Sequence, residues 1–314
     1  MKLGFITPTF PGEKRVALLP SHITSDFQNQ IIIESGFGSN LDIDDATYEA
    51  KGCKVDTRKS IFDNCDAIFS LKLIQPEDYS YLREGQMIIG WTHPTGSGSA
   101  FFQGIAKSKQ LKIIDLDNIY PTAYCGQFKA PILFLPRNFV RKNSFYAGVS
   151  CTLHALSEFG LYPDSNTKVA ILANGSVSQG AFSFISKFNV DIQLFYRKTM
   201  TEFYDNIGIF DIIINGIEVD GTVKHIISKE DLKRIKKGCL IIDAAADAGN
   251  AIEGTHYTSL DCPIYKEDGL YFYVVNNAPS VLYRKTSYEI SKAFSEWVYK
   301  KDVIRFWNLF ENNG

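Results

Sequence analysis

One pattern constrains this chain more than any other, and it occurs twice. In the N-terminal half KLGFIT, QIIIES, DAIFSLK, QMIIGW and KIIDLD are apolar runs too short for helices. Polar stretches with a helical look (SHITSDFQ, DDATYEAKG, TRKSIFDNC, GSAFFQGIAKSK) separate them. Such runs read as strands buried on both faces, and strand–helix alternation implies a parallel sheet covered by helices. Beyond Pro163 the alternation restarts with KVAILA, DIQLFYR, FDIIING, CLIIDAA and LYFYVV. Between the two series, residues 144 to 160 carry apolar positions three and four apart and stop at Gly160, which predicts a longer helix. Residues 284 to 312 read as helical again, with Trp297, Phe306 and Trp307 as packing anchors. A helix of that length needs a surface for its aromatic face, so it is expected to return to the first unit.

The expected fold class is therefore α/β, with two Rossmann-like doubly wound parallel-sheet domains and the active site in the interdomain cleft. Residues 1–140 plus 284–314 would form the substrate domain, and residues 141–283 the dinucleotide-binding domain. A length of 314 residues suits two domains. Lys plus Arg number 33 against 35 for Asp plus Glu, a formal charge of -2. No field of one sign is available for nucleic acid or an anionic membrane, so neither partner is expected. No apolar run approaches the ~18 residues of a membrane span, and the opening MKLGFITPTFPGEKR is too short in apolar residues for a signal peptide. The six cysteines show no metal-type spacing, so no metal is expected and they read as reduced thiols of a cytoplasmic protein.

KVAILANGSVSQGAF has the strand–turn–helix order of a dinucleotide fingerprint. Val169 to Leu172 would form the strand and Asn174-Gly175 the tight turn. Ser176 or Ser178 would open the helix, whose first amides, with Val177, face a pyrophosphate. Gly180 and Ala181 would let helix and strand approach. Ala173 and Ser178 stand where the motif has glycines, and both are small. An acidic residue about 20 residues past the turn marks an NAD site; here Arg197, Lys198 and Thr199 end the next run instead, 22 residues on from Gly175 for Arg197. Two cations and a hydroxyl suit the 2′-phosphate of NADP(H).

Three N-terminal residues stand at or near strand ends, where open α/β sheets bind ligands. Arg15 follows the first strand and suits a carboxylate through a bidentate pair. Lys72 is a lone cation in an otherwise apolar strand, where burial lowers an ammonium pKa. His93 follows IIGW. In the second half, Asp243 ends a strand. Asp247 lies in a small-residue loop that a cofactor ring could approach, or it caps a helix.

At these residues the chain resembles the alanine dehydrogenase, transhydrogenase and saccharopine dehydrogenase superfamily, over nearly its whole length. The resemblance rests on E-x-R-V-A-L-L-P at 13 to 20, S-L-K-x-x-Q-P around Lys72, H-P at 93 to 94 and I-D-x-A-x-D-A-G-N at 242 to 250. It extends through GFGSNLDIDD, AIFSLKLIQPEDY, LREGQMIIGWTHPTGSG, KNSFYAG, YRKTM, DIIINGIEV and AADAGNAIEG. It implies NADPH-dependent reductive condensation of pyruvate with the side-chain amine of ornithine, with lysine as a further acceptor. It also implies a homo-oligomer, a dimer or tetramer. The residue matching Arg15 would hold a substrate carboxylate. That matching Lys72 would touch substrate or share acid–base work, and that matching His93 would give and take the proton. The residue matching Asp247 would lie beside the nicotinamide. Two departures are Ala173, a glycine in close members, and residues 119 to 141, which do not align. A saccharopine- or opine-type dehydrogenase with another amine and 2-oxoacid, or a non-catalytic NADP-binding sensor, is the alternative.

Overall fold

The computed structural model describes residues 1–94, 96–219 and 224–311. Among them, β1 (Lys2–Phe5), β2 (Gln30–Glu34), β3 (Lys54–Asp56), β4 (Ala67–Ser70), β5 (Met87–Gly90), β6 (Lys112–Asp115), β7 (Thr122–Cys125) and β8 (Phe128–Pro131) make one sheet. Its order is β3-β2-β1-β4-β5-β6-β7-β8. The strands β9 (Lys168–Leu172), β10 (Asp191–Phe195), β11 (Ile212–Asn215), β12 (Leu240–Asp243), β13 (Ile264–Glu267) and β14 (Leu270–Tyr273) make the other, in the order β10-β9-β11-β12-β14-β13. The inner strands of both are parallel, which makes the class two doubly wound α/β sheets. Antiparallel strands β7 and β8 extend one edge of the first sheet, and β13 one edge of the second.

The chain divides into two compact units. One is Met1–Val140 with the segment from Tyr283 onward, and the other is Arg141–Leu282. Each sheet is buried on both faces, and the period of a strand sorts its residues between them. In the first unit Leu3, Phe5, Ala67, Phe69, Met87 and Ile89 join one core cluster, while Ile68 and Ile88 join the other. In the second, Val169, Ile171, Ile212 and Ile214 face one way and Ala170, Leu172 and Ile213 the other. Two apolar faces are why these strands read as unbroken apolar runs.

The longer helix expected between the two series spans Arg141–Phe159 and opens the second unit. The C-terminal segment departs from the single helix expected. A helix over Tyr283–Phe294 widens at Ser295–Tyr299 and breaks before a second helix at Ile304–Glu311. The buried Asn29 side chain stabilises the break: its amide donates to the Tyr299 and Lys301 carbonyls, and its oxygen accepts the Val303 amide. Phe306 is fully buried, whereas Trp297 and Trp307 are partly so. SHITSDFQ also departs, forming only a short turn at Pro20–His22. The stretch before it runs along the Tyr283–Phe294 helix instead, where Ser287 and Ser291 hydroxyls accept the Val16 and Leu19 amides.

Candidate active site

In the first sheet the strand order reverses between the parallel neighbours β1 and β4, so their carboxyl ends border a crevice at a topological switch point. Arg15 lies in the segment leaving β1. Lys72 lies just past β4, not within the strand, and is half-buried rather than sealed in the core. His93 follows β5, Asp115 ends β6, and Asp117 comes two residues later. The structure thus gathers Arg15, Lys72 and His93 on one sheet edge and adds Glu13, Asp115 and Asp117, which sequence reasoning did not select.

Arg15 is 2% exposed and is not an open fork. Its Nε and Nη2 donate to the two carboxylate oxygens of buried Glu13, at 2.8 and 2.6 Å, and the guanidinium lies over the Trp91 ring. Burial alone would raise the Glu13 pKa, but the Arg15 charge and hydrogen bonds outweigh it and keep Glu13 ionised. A bidentate substrate contact through the Nε edge is therefore ruled out in this arrangement, because Glu13 already makes it. A substrate carboxylate would meet another part of the guanidinium.

His93 has a left-handed backbone, φ 45°, uncommon for a residue with a side chain and a form of strain that gathers at functional sites. Asp115 holds it there. This buried carboxylate accepts the Thr92 amide and hydroxyl at 3.1 and 3.0 Å, and the His93 amide at 3.4 Å. The His93 Nδ1 sits 3.0 Å from Asp117 Oδ2. That partner fixes the ring and leaves Nε2 as the nitrogen to exchange a proton with a ligand. Burial works against the imidazolium, yet the Asp117 charge and hydrogen bond prevail and raise the His93 pKa above that of a free histidine. Asp117 is lowered in turn: burial would raise it, but His93, Lys72 and Arg15 together outweigh that. For Lys72, burial and then the Arg15 charge bring the pKa down to about 8, against the pull of Glu13 and Asp117. The cluster therefore holds a lysine with a lowered pKa and a histidine with a raised one, each set by burial and named neighbours. Among the described residues no group of His, Cys, Asp and Glu is arranged to hold a metal ion.

The second unit carries the candidate dinucleotide turn. The helix spans Ser176–Ile185, so Ser176 and Val177 are its first residues and Gly175 its N-cap. No side chain caps it. A Cβ built on Gly175 would meet nothing within 4 Å, so that face of the turn is open to a ligand. An uncapped helix start with an open approach fits a pyrophosphate. The left-handed residue of the turn is Ala173, φ 73°, and Gly175 has an ordinary φ of -67°. Asn174 is exposed, and its carbonyl accepts the Gln179 side-chain amide. Ser178 donates to the Leu172 carbonyl at 2.7 Å, closing the turn from below. Gly180 serves a helix rather than the strand, since a Cβ there would stand 1.8 Å from the Phe145 carbonyl oxygen, and one on Gly148 would stand 1.9 Å from that of Val177. These two glycines let the helices Arg141–Phe159 and Ser176–Ile185 cross in backbone contact.

β10 pairs with β9 so that Phe195 lies beside Leu172, and the Ala173 amide donates to the Phe195 carbonyl. The Arg197 turn is therefore next to the phosphate turn. Arg197 and Lys198 are exposed and form no ion pair among the described residues. Thr199 differs from expectation: its hydroxyl accepts the Tyr196 amide and donates to the Tyr196 carbonyl, which closes the local turn. Asp247 caps no helix. Its carboxylate accepts the Val219 amide and the Asn250 side chain, tying two loops together past β11 and β12. Its own amide donates to Asp243, a buried acid that burial raises to about 6.

Two doubly wound sheets, one with a charged acid–base cluster and one with a nucleotide-type turn, define a nicotinamide-dinucleotide-dependent oxidoreductase. Residues 7–124 match the family described as alanine dehydrogenase/PNT, N-terminal domain, and residues 159–309 match its C-terminal domain; the chain belongs to this family. It is 55% identical to the N(5)-(carboxyethyl)ornithine synthase of Clostridium botulinum over 96% of this chain and 95% of that protein. It is 53% identical to the same-named protein of Lactococcus lactis subsp. lactis, over 98% and 97%. Alanine dehydrogenase 1 of Staphylococcus aureus is 23% identical over 91% and 84%. Among solved structures an L-alanine dehydrogenase shares the fold with a TM-score of 0.73 at 18% identity, covering 95% of this chain and 89% of that one. A transhydrogenase from Sinorhizobium meliloti does so with a TM-score of 0.74 at 16% identity, covering 97% and 95%.

Proposed function

We propose that this chain condenses pyruvate with the side-chain amine of L-ornithine and reduces the product with NADPH, giving N5-(1-carboxyethyl)ornithine, with lysine as a second acceptor. The observation that carries the proposal is the His93–Asp117 pair beside Lys72 and Arg15 on one sheet edge. Relatives more than half identical and named for that synthase supply the substrate pair. We assign substrate to the unit of residues 1–140 and 284–314, and NADP(H) to residues 141–283, in a cytoplasmic homo-oligomer.

The side-chain amine must be neutral to attack the ketone of pyruvate. Lys72, brought down to about 8, keeps a neutral fraction near neutral pH and can accept the amine proton. His93, whose acid form Asp117 favours, donates from Nε2 to the departing hydroxyl as water leaves. Arg15, fixed by Glu13, offers positive charge to the pyruvate carboxylate from the part of the guanidinium that Glu13 does not bind. Bound NADPH supplies the hydride. Asn174, Gly175, Ser176 and Val177 would hold its pyrophosphate, Arg197 and Lys198 its 2′-phosphate, and Asp247 the nicotinamide side.

The test is NADPH oxidation with pyruvate and ornithine together, against either alone. His93→Gln keeps the ring site filled and removes the proton. It should lower kcat by roughly 10²-fold or more, the usual range for a general acid. Near-wild-type turnover in that variant would remove His93 from the mechanism.

A further inference from the structure

The segment that follows β6 carries a cation on the sheet edge that also holds the acid–base pair. β7 runs antiparallel to β6 and β8 antiparallel to β7, so the chain leaves β8 at the edge where it leaves β6. Beyond the sheet the two segments stay joined. The Ile132 amide donates to the Pro121 carbonyl, and the Asn138 amide to the Ile119 carbonyl, both at 2.8 Å. Ile119 is two residues past Asp117, a reach of at most ~7 Å. Arg137 precedes the tethered Asn138, and its guanidinium lies 5.0 Å over the Tyr120 ring. It is exposed and makes no ion pair among the described residues, whereas Arg15 and Arg58 on the same edge are held by carboxylates. The stacking ring pre-orients the guanidinium and leaves its donors to a planar anion.

We propose that Arg137 binds the α-carboxylate of the amino-acid co-substrate, a specificity-determining role that rests on the condensation proposed above. In extended ornithine the side-chain nitrogen and the carboxylate carbon are about 6 Å apart, from ordinary bond lengths of ~1.5 Å. With the reacting amine at His93, the carboxylate must be met further along the same edge, where the Ile119–Asn138 tether holds Arg137. Ile119 and Tyr120, 51% and 57% exposed, offer apolar surface to the intervening methylenes. The site would thus select amines that carry an α-carboxylate three methylenes or so away, and discriminate against plain diamines.

The experiment measures initial rates of NADPH oxidation with pyruvate and either ornithine or 1,4-diaminobutane, for the wild-type protein, Arg137→Ala and Arg137→Lys. Arg137→Ala should raise the ornithine KM at least tenfold, with the pyruvate KM and kcat within about twofold, while its rate with 1,4-diaminobutane matches the wild type. Arg137→Lys should recover part of the ornithine KM. An unchanged ornithine KM in Arg137→Ala overturns the assignment alone, as does an equal loss for both amines, which would mark a distorted site. Absence of turnover with any amine in the wild-type protein overturns the reaction, and the Arg137 assignment with it.

Discussion

Ala173 shows what a single residue can hide. Its methyl group was acceptable in size for a glycine-motif position, but size was not the demand. The backbone there is left-handed at φ 73°, held by the Ala173 amide on the Phe195 carbonyl. A side chain in that region costs roughly 1–2 kcal/mol, while glycine gives back roughly 0.5–1 kcal/mol through the freedom it adds to the unfolded chain. Ala173→Gly should therefore raise the stability of the protein by up to about 1 kcal/mol, read from urea unfolding. The NADPH dissociation constant should change little, because the strain is the same with or without cofactor. A loss of stability would show that the turn tolerates alanine without strain. Sequence reports the volume of a side chain and not the φ it must adopt, so it shows Asn174-Gly175 in the turn between β9 and its helix but not that Ala173 is the left-handed residue there.

Strand ends and the loops that leave them form the next scale. The inner strands were readable because both faces are apolar, and the residues just after them were readable as site candidates because that edge binds ligands. β3, β8 and β13 were not, being short or half-exposed edge strands without a continuous apolar run; β7 is buried between β6 and β8, but its TAYC is not a continuous aliphatic run. Asp117 was lost with them. It follows β6 in IIDLDNIY, and its acidic neighbour Asp115 gave no sign of which of the two faces His93. A partner across two strands leaves no spacing in the sequence. Its role makes a pH-dependent prediction. Asp117 raises the His93 pKa, so the acid form persists to higher pH than in a free histidine. Asp117→Asn removes the charge and keeps the shape. The His93 pKa falls, and the basic limb of the kcat–pH profile should move to lower pH. The loss in kcat should be larger at pH 8 than at pH 6, on the order of tenfold at the higher value for partial loss of a general acid. An unmoved basic limb would mean that Asp117 does not set the protonation of His93.

At the scale of the whole molecule, the first unit is discontinuous, and its last segment is core rather than cover. Phe294 meets Phe69 at 5.1 Å, with Trp91 and Phe139 each at 5.8 Å, and Tyr299 stands edge-on to Phe5 and Phe69 at 4.8 and 5.0 Å. Ile290, Val298, Val303 and Phe306 complete the same cluster. Losing a single buried phenylalanine side chain costs about 3–5 kcal/mol, against a total of about 5–15 kcal/mol for a typical domain. The two core clusters of the second unit draw only on residues between Cys151 and Ala278. A chain ending at Leu282 should therefore lose the first unit and keep the second. Amide hydrogen exchange should find β1, β4 and β5 unprotected and β9, β11 and β12 protected. The truncated protein should still bind NADPH by fluorescence titration and should turn over no substrate. Within the full-length chain, Phe294→Ala should destabilise the first unit by about 3–5 kcal/mol without weakening NADPH binding. Protected β1, β4 and β5 amides in the truncated chain would show that the N-terminal 140 residues hold their sheet without the returning helices. The C-terminal segment would then be an addition to a unit that folds by itself.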